Sequence, residues 1–152
     1  MLELIRKTIR FLSKSLLLRK VLREVARGAI FANNGFLNYL GWGMSHNISL
    51  SDIKEFQVLA PNGRPIIYKL CPNDSWVLTR LYWSKKHLFE KDTATIFFEK
   101  AAKARTVLDI GANFGYYTYL AAAAEPEGKV VAFEPIKYLA EKIKENAGQN
   151  GF

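Results

Sequence analysis

A chain of 152 residues, 49% hydrophobic and 24% charged, has a globular composition and excludes a disordered one, at a length for one ordinary domain or part of a larger one. The net charge of +8 is uneven: residues 1–28 hold +6, residues 29–104 hold +3 and residues 105–152 hold −1, so a basic arm precedes a nearly neutral domain and argues against nucleic-acid binding across the fold. Cys71 is the single cysteine, which rules out an intrachain disulfide, and neither His46 nor His87 has a partner at metal-ligand spacing, so no metal site is expected.

Residues 2–28 read as one basic amphipathic helix. Leu2, Ile5, Ile9, Leu12 and Leu16 alternate steps of three and four and share a face, Arg6, Lys7, Arg10 and Lys14 occupy the rest, and Gly28 is the stop signal. Arg or Lys every few positions spoils both a membrane span, which needs about 20 apolar residues, and a signal-peptide core. A cytoplasmic location is therefore expected. The first expectation for this helix is packing on the rest of the protein or on a partner helix. The second is peripheral contact with an anionic membrane surface, which needs this mix of apolar face and positive charge.

Residues 29–104 read as a β-hairpin and helical region. Asn33-Asn34-Gly35 and Gly41-Trp42-Gly43 are turn material. The runs Phe56–Leu59 and Pro65–Tyr68 flank Pro61-Asn62-Gly63-Arg64, and Asn-Gly between apolar runs predicts a hairpin. A loop at Cys71–Ser75 leads into a helix from Trp76 to Trp83. A second helix is predicted from Asp92 to Lys103, with Ile96, Phe97 and Ala101 facing inward and Asp92 or Thr93 near its cap. Trp42, Trp76 and Trp83 read as packing residues.

Residues 105–152 change character. Thr106–Ile110 and Lys129–Phe133 are short apolar runs suited to buried parallel strands. Tyr116–Ala124 has helix composition, Pro126-Glu127-Gly128 breaks it, and residues 136–147 form an amphipathic helix with Ile136, Leu139, Ala140 and Ile143 on one face. Strand, helix, strand, helix opens an α/β sheet.

The segment Asp109-Ile110-Gly111-Ala112-Asn113-Phe114-Gly115 departs from the Gly-x-Gly-x-x-Gly loop that binds a pyrophosphate. Its glycines stand four apart and an acidic residue precedes them. Gly111 admits close approach of a ligand, Gly115 lets the next helix pack near the strand, and the helix N-terminus offers N–H groups to an anion. Asp109 would meet an ammonium, which makes an amino-acid moiety a better fit than a pyrophosphate. Glu134, 25 residues after Asp109, ends the second strand, where a carboxylate can accept both hydroxyls of a ribose. Amino acid beside ribose outlines S-adenosylmethionine.

The run Val107 to Thr118, Val-Leu-Asp-Ile-Gly-Ala-Asn-Phe-Gly-Tyr-Tyr-Thr, resembles the first motif of the FkbM family of S-adenosylmethionine-dependent methyltransferases, and Gly128 to Pro135 resembles its second. Phe89-Glu90 is similar to an aromatic-acidic pair upstream of the first motif, and Asn146 with Asn150 to asparagines that close the next helix. On residue grounds alone Asn146 reads as a helix C-cap, and Tyr116 and Tyr117 as packing residues. The resemblance spans residues 65–152 and is most specific over 106–135. It implies that Asp109, Gly111, Ala112, Asn113 and Gly115 line the cofactor's amino-acid end, that Glu134 holds the ribose, and that Glu90 is a further cofactor contact.

The fold it implies is an incomplete Rossmann-like class I methyltransferase sheet, two strands of seven. The expected activity is O-methylation of a hydroxyl on a sugar or natural-product acceptor, the partner being a small molecule or glycan, with no residue assignable as base. A chain ending here is expected to bind the cofactor weakly and to turn nothing over, leaving an exposed hydrophobic sheet edge. Two other readings stand beside it: a nicotinamide-dependent Rossmann oxidoreductase with a degenerate loop, and a non-catalytic membrane- or partner-binding remnant.

Overall fold

The computed structural model describes residues 2–32, 34–48, 50–69, 76–84 and 89–152. Asn33, His87 and the expected loop at Cys71–Ser75 lie outside the described residues, as does the side chain of Trp76. The described residues form seven helices and two two-stranded sheets, a mixed α/β protein. They divide into two compact units, Met1–Ile53 and Lys54–Phe152. No helix among them is long and apolar enough to cross a membrane.

The first unit holds α1 (Leu2–Leu12), α2 (Leu16–Ile30) and α3 (Gly35–Ser45). The single helix expected over residues 2–28 is thus two. Lys14 and Ser15 donate to Phe11 and Leu12 at 3.1 and 3.2 Å, three residues back where an α-helix bonds four back. The buried Ser13 turns its hydroxyl to the Arg10 carbonyl at 3.0 Å, and Arg19 Nε takes the Ser13 carbonyl at 2.7 Å. Serines that compete for backbone groups break the helix where its apolar period runs on. Gly28, the expected stop, sits inside α2.

The Gly41-Trp42-Gly43 segment, expected to turn, lies within α3. A Cβ on Gly41 would stand 2.5 Å from Ile30 N and 2.8 Å from the Ala26 carbonyl oxygen, so this glycine lets α3 lie directly on α2. Asn34 caps α3, its side chain accepting from Phe36 and Leu37 N–H at 3.0 and 3.2 Å. His46 ends α3, its Nδ1 2.7 Å from the Trp42 carbonyl. Trp42 is half-buried.

In the second unit β1 (Glu55–Leu59) and β2 (Pro65–Lys69) form the expected antiparallel hairpin, pairing Phe56 with Tyr68 and Val58 with Ile66. Period-two alternation buries these four side chains. Gly63 supplies a positive φ of 81° in the turn, and Asn62 Oδ1 accepts the Arg64 N–H at 3.1 Å. Phe56 stacks on Tyr68, Tyr82 meets Phe56 edge-on, and Tyr119 meets Tyr68 edge-on with centroids 5.4 Å apart. Helix α4 (Trp76–Trp83) brings Leu78, Leu81 and Trp83 to this core.

Helix α5 (Lys91–Ala101) buries Ala94, Phe98 and Ala101. The expected inward Ala101 is buried, but Ile96 is 60% exposed and Phe97 only half-buried, because the buried face runs through Ala94, Phe98 and Ala101 at four-and-three spacing. The cap is Glu90, in a left-handed conformation and without a side-chain bond, and Asp92 and Thr93 lie near it in the first turn as expected.

Strands β3 (Thr106–Ile110) and β4 (Lys129–Phe133) pair in parallel, joined through α6 (Tyr116–Ala124) and followed by α7 (Lys137–Gln149). They are not the fully buried strands expected. Asp109, bonded to Thr118 of α6, and Val107 two residues before it share the half-buried side, while Ile110 is 80% exposed and Leu108 and Phe133 are open too. Their apolar composition suits a sheet covered on both faces, and the described helices cover one.

Asn146 is not a C-cap. It lies inside α7, fully buried, and its Oδ1 accepts the Lys69 N–H at 3.1 Å. Asn150 accepts the Ile67 N–H at 2.7 Å and donates to the Ile67 carbonyl at 2.8 Å. Asn146 within α7 and Asn150, the residue that closes it, thereby complete the free edge of β2 as a third strand would.

Candidate functional site

The carboxyl ends of β3 and β4 lie side by side, since Ile110 pairs with Phe133. The loop from Gly111 to Gly115 alternates its backbone: φ is 82° at Gly111, 52° at Asn113 and 79° at Gly115. Positive φ suits glycine best and, among other residues, asparagine. The Gly-x-Asn-x-Gly pattern is therefore a requirement of this loop's backbone before it is anything else.

The two glycines differ. A Cβ on Gly111 would meet nothing within 4 Å. One on Gly115 would stand 2.6 Å from a ring carbon of Tyr119 and 2.8 Å from its hydroxyl. Gly115 makes room for a side chain of the following helix; the sequence reading had assigned that room to the strand. Ala112 is buried.

Four of the loop amides are already engaged. Gly111 and Ala112 N–H both donate to the Phe133 carbonyl, at 2.9 and 3.1 Å, and Gly115 N–H donates to the Ala112 carbonyl at 2.8 Å. Asn113 N–H donates to Glu134 Oε2 at 2.8 Å. These four loop amides are not free donors for a ligand carboxylate; the helix N-terminus expected to meet an anion begins after them, at Tyr116. Glu134 also accepts the Ile136 N–H on Oε1 at 2.9 Å. A carboxylate has about four lone-pair sites, so each oxygen retains one.

Asp109 Oδ2 accepts the Thr118 hydroxyl at 2.5 Å, which orients the carboxylate from the first turn of α6. Glu90, exposed and left-handed at φ 51°, accepts the Tyr117 hydroxyl at 2.8 Å. Tyr116 donates to the Phe89 carbonyl at 2.8 Å. Burial, then the Glu90 hydrogen bond and the charges of Glu90 and Asp109, push the Tyr117 hydroxyl up to about 12. That hydroxyl is a donor at neutral pH. The structure thus gathers Asp109, Glu134 and the loop at one end of the parallel pair, and joins Glu90 to the same helix through Tyr117.

Thr118 and Tyr117 are the participants that residue-level reading missed. Their signal was position alone: both follow Gly115 within one helical turn, where side chains can reach back to a strand tip. Two cavities, of about 430 and 400 Å³, lie elsewhere. One is walled by Lys103–Arg105, Glu125, Glu127 and Gly128 at the opposite strand ends, the other by residues of α6, α7 and β4 with Thr118 among them, and neither is lined by Glu90, Asp109, Gly111, Asn113 or Glu134. At the strand tips Ile110 is 80% and Phe133 50% exposed. Among the described residues no group of three or more His, Cys, Asp or Glu could hold a metal.

No family model matches this chain, and neither does any curated protein or solved structure.

Proposed function

We propose that the second unit is part of an S-adenosylmethionine-dependent methyltransferase of the FkbM kind, with β3 and β4 as strands of a Rossmann-like sheet. The observation that carries this reading is the placement of two carboxylates at adjacent parallel strand tips, Glu134 being hydrogen-bonded into the loop that follows Asp109. In open α/β sheets ligands bind beyond the carboxyl ends of the strands.

The residues fit such a molecule through carboxylates and open space more than through amides. Asp109 keeps Oδ1 for an ammonium while Thr118 holds Oδ2. Glu134 keeps one lone pair on each oxygen for the ribose hydroxyls. Gly111 leaves the approach clear. Glu90 is a further contact by way of its place beside Tyr117. When bound, the cofactor supplies an electrophilic methyl group, and a hydroxyl of a small molecule or glycan is the acceptor class. This chain's part is to hold and align, a contribution that can be worth about 7 kcal/mol or more of barrier. Tyr117, with its raised pKa, is a poor base and serves to fix Glu90.

The test is amide chemical-shift mapping with S-adenosylhomocysteine and, separately, NADH. S-adenosylhomocysteine is expected to shift Gly111, Asn113 and Gly115 saturably, and NADH to leave them. Asp109→Ala and Glu134→Ala should each weaken the response about tenfold, equivalent to ~1.4 kcal/mol. An equal response to NADH, or none to the homocysteine nucleoside at millimolar concentration, removes the proposal.

A further inference from the structure

We propose that the first unit docks on an anionic lipid surface through the outer faces of α1 and α2. The argument starts from the polarity of α2, which is reversed. Arg19 and Arg23, one turn apart, point inward: Arg23 is 3% exposed, and the two guanidinium groups bind Asp52 at 3.0 and 2.6 Å. Leu17, Val21 and Val25, at the same four-residue spacing on the opposite side, point outward, with Leu18 beside them and Leu17 72% exposed. A helix that only had to fold onto its own unit would place its aliphatic ridge inside and its arginines outside.

Helix α1 repeats the combination. Leu4, Lys7 and Phe11 share one face by their three-and-four spacing, and Phe11 is 70% exposed. Phe36, Leu37 and Tyr39 of α3 are exposed as well. A monomeric protein rarely leaves so many large apolar side chains uncovered within one small unit.

Charge selects the occupant. Residues 1–53 carry eight basic and three acidic side chains. Asp52 is held by Arg19 and Arg23, and Glu24 by Arg27, so Glu3 is the remaining acid. Arg6, Lys7, Lys14 and Lys20 form no ion pair among the described residues. A second copy of this unit would bring the same positive charge to the contact and be repelled. A polynucleotide would accept the cations and leave the aliphatic ridge in water. A bilayer with anionic headgroups takes both: cations at the phosphates, aliphatic side chains below them, and the aromatic residues at the boundary.

Flotation of the full chain with phosphatidylcholine vesicles, with and without phosphatidylserine, tests this. The chain should float with the anionic vesicles, at least about tenfold more than with neutral ones, and salt should reduce the difference. Lys7→Glu and Lys20→Glu should each weaken binding at least about fivefold, since a surface cation contributes about that factor. Leu17→Ser with Val21→Ser should reduce it further, and because both side chains are exposed, circular dichroism should be unchanged; if this double variant unfolds, the two charge reversals decide. Failure to float, equal flotation on neutral vesicles, or a lipid-free dimer that Leu17→Ser dissociates would each overturn the proposal. None of these outcomes depends on whether the second unit binds S-adenosylmethionine.

Discussion

Gly111 and Gly115 share a backbone conformation and differ in what surrounds them. Alanine at either position must adopt a positive φ, at about 1 kcal/mol. At Gly115 it must also displace the ring of Tyr119, which is fully buried and cannot swing away. Overpacking of that kind adds about 2 kcal/mol, so Gly115→Ala is expected to destabilise the second unit by about 3 kcal/mol in urea unfolding. Gly111→Ala should cost only about 1 kcal/mol in the same experiment. Its methyl group enters open space at the strand tip, so it should impair nucleoside binding more than stability. Equal stability losses for the two substitutions would show that the Tyr119 contact does not decide the difference. Residue types alone made the two glycines look alike.

At the scale of elements, two polar clasps hold pieces that apolar packing leaves loose. Asn150 saturates both backbone groups of Ile67, and Asn146 takes the next free donor along β2. Truncation to alanine leaves those part-buried groups without partners, so Asn150→Ala should cost about 2 kcal/mol and speed amide exchange at Ile67. Undiminished protection at Ile67 would refute the clasp.

Asp52 is the second. Burial raises its carboxyl pKa, but the hydrogen bonds from Arg23 and Arg19 outweigh this and hold it below the usual 3.8. A folded-state value below the unfolded one gives stability that is present above pH 3.8 and lost as pH falls through the lower value. Asp52→Asn removes the anion that Arg19 and Arg23 share, and about 3 kcal/mol of the first unit's stability should go with it, read by thermal melting at neutral pH. The acid-induced loss below pH 4 should also shrink in that variant.

For the molecule as a whole, the aromatic core of the second unit makes alkali the more informative stress. Burial, followed by the charges of neighbouring tyrosines, raises the Tyr68 hydroxyl well above its ordinary 10.0. Burial likewise raises Tyr116 and Tyr119, and Tyr117 stands near 12. Between the ordinary and raised values the unfolded chain has released protons that the folded chain keeps. Stability therefore falls as pH rises from 10 toward 12. The melting temperature should hold steady up to pH 10 and drop beyond it, with tyrosinate absorbance lagging until the chain unfolds. Tyr68→Phe should flatten that decline, and a decline of unchanged steepness would mean that Tyr68 titrates freely.

What was legible without the fold was whatever neighbours along the chain decide. Asn62-Gly63 set the hairpin, the runs at 106–110 and 129–133 set two parallel strands, and Asp109 and Glu134 were placed at their carboxyl ends because strand length follows from a short apolar run. The backbone of Gly111–Gly115 follows in the same way from residues that tolerate positive φ. Only tertiary structure decided which side of each element turns inward. The period of α2 allows either face to be buried, and Asp52, 29 residues from Arg23, selected the arginines. Asn146 could cap a helix or complete a sheet edge, and the position of β2 selected the edge; Asn150 caps α7 through its backbone and completes that edge with its side chain. Periodicity and turn chemistry act over a few residues, whereas the choice of buried face depends on partners that only folding brings within hydrogen-bond distance.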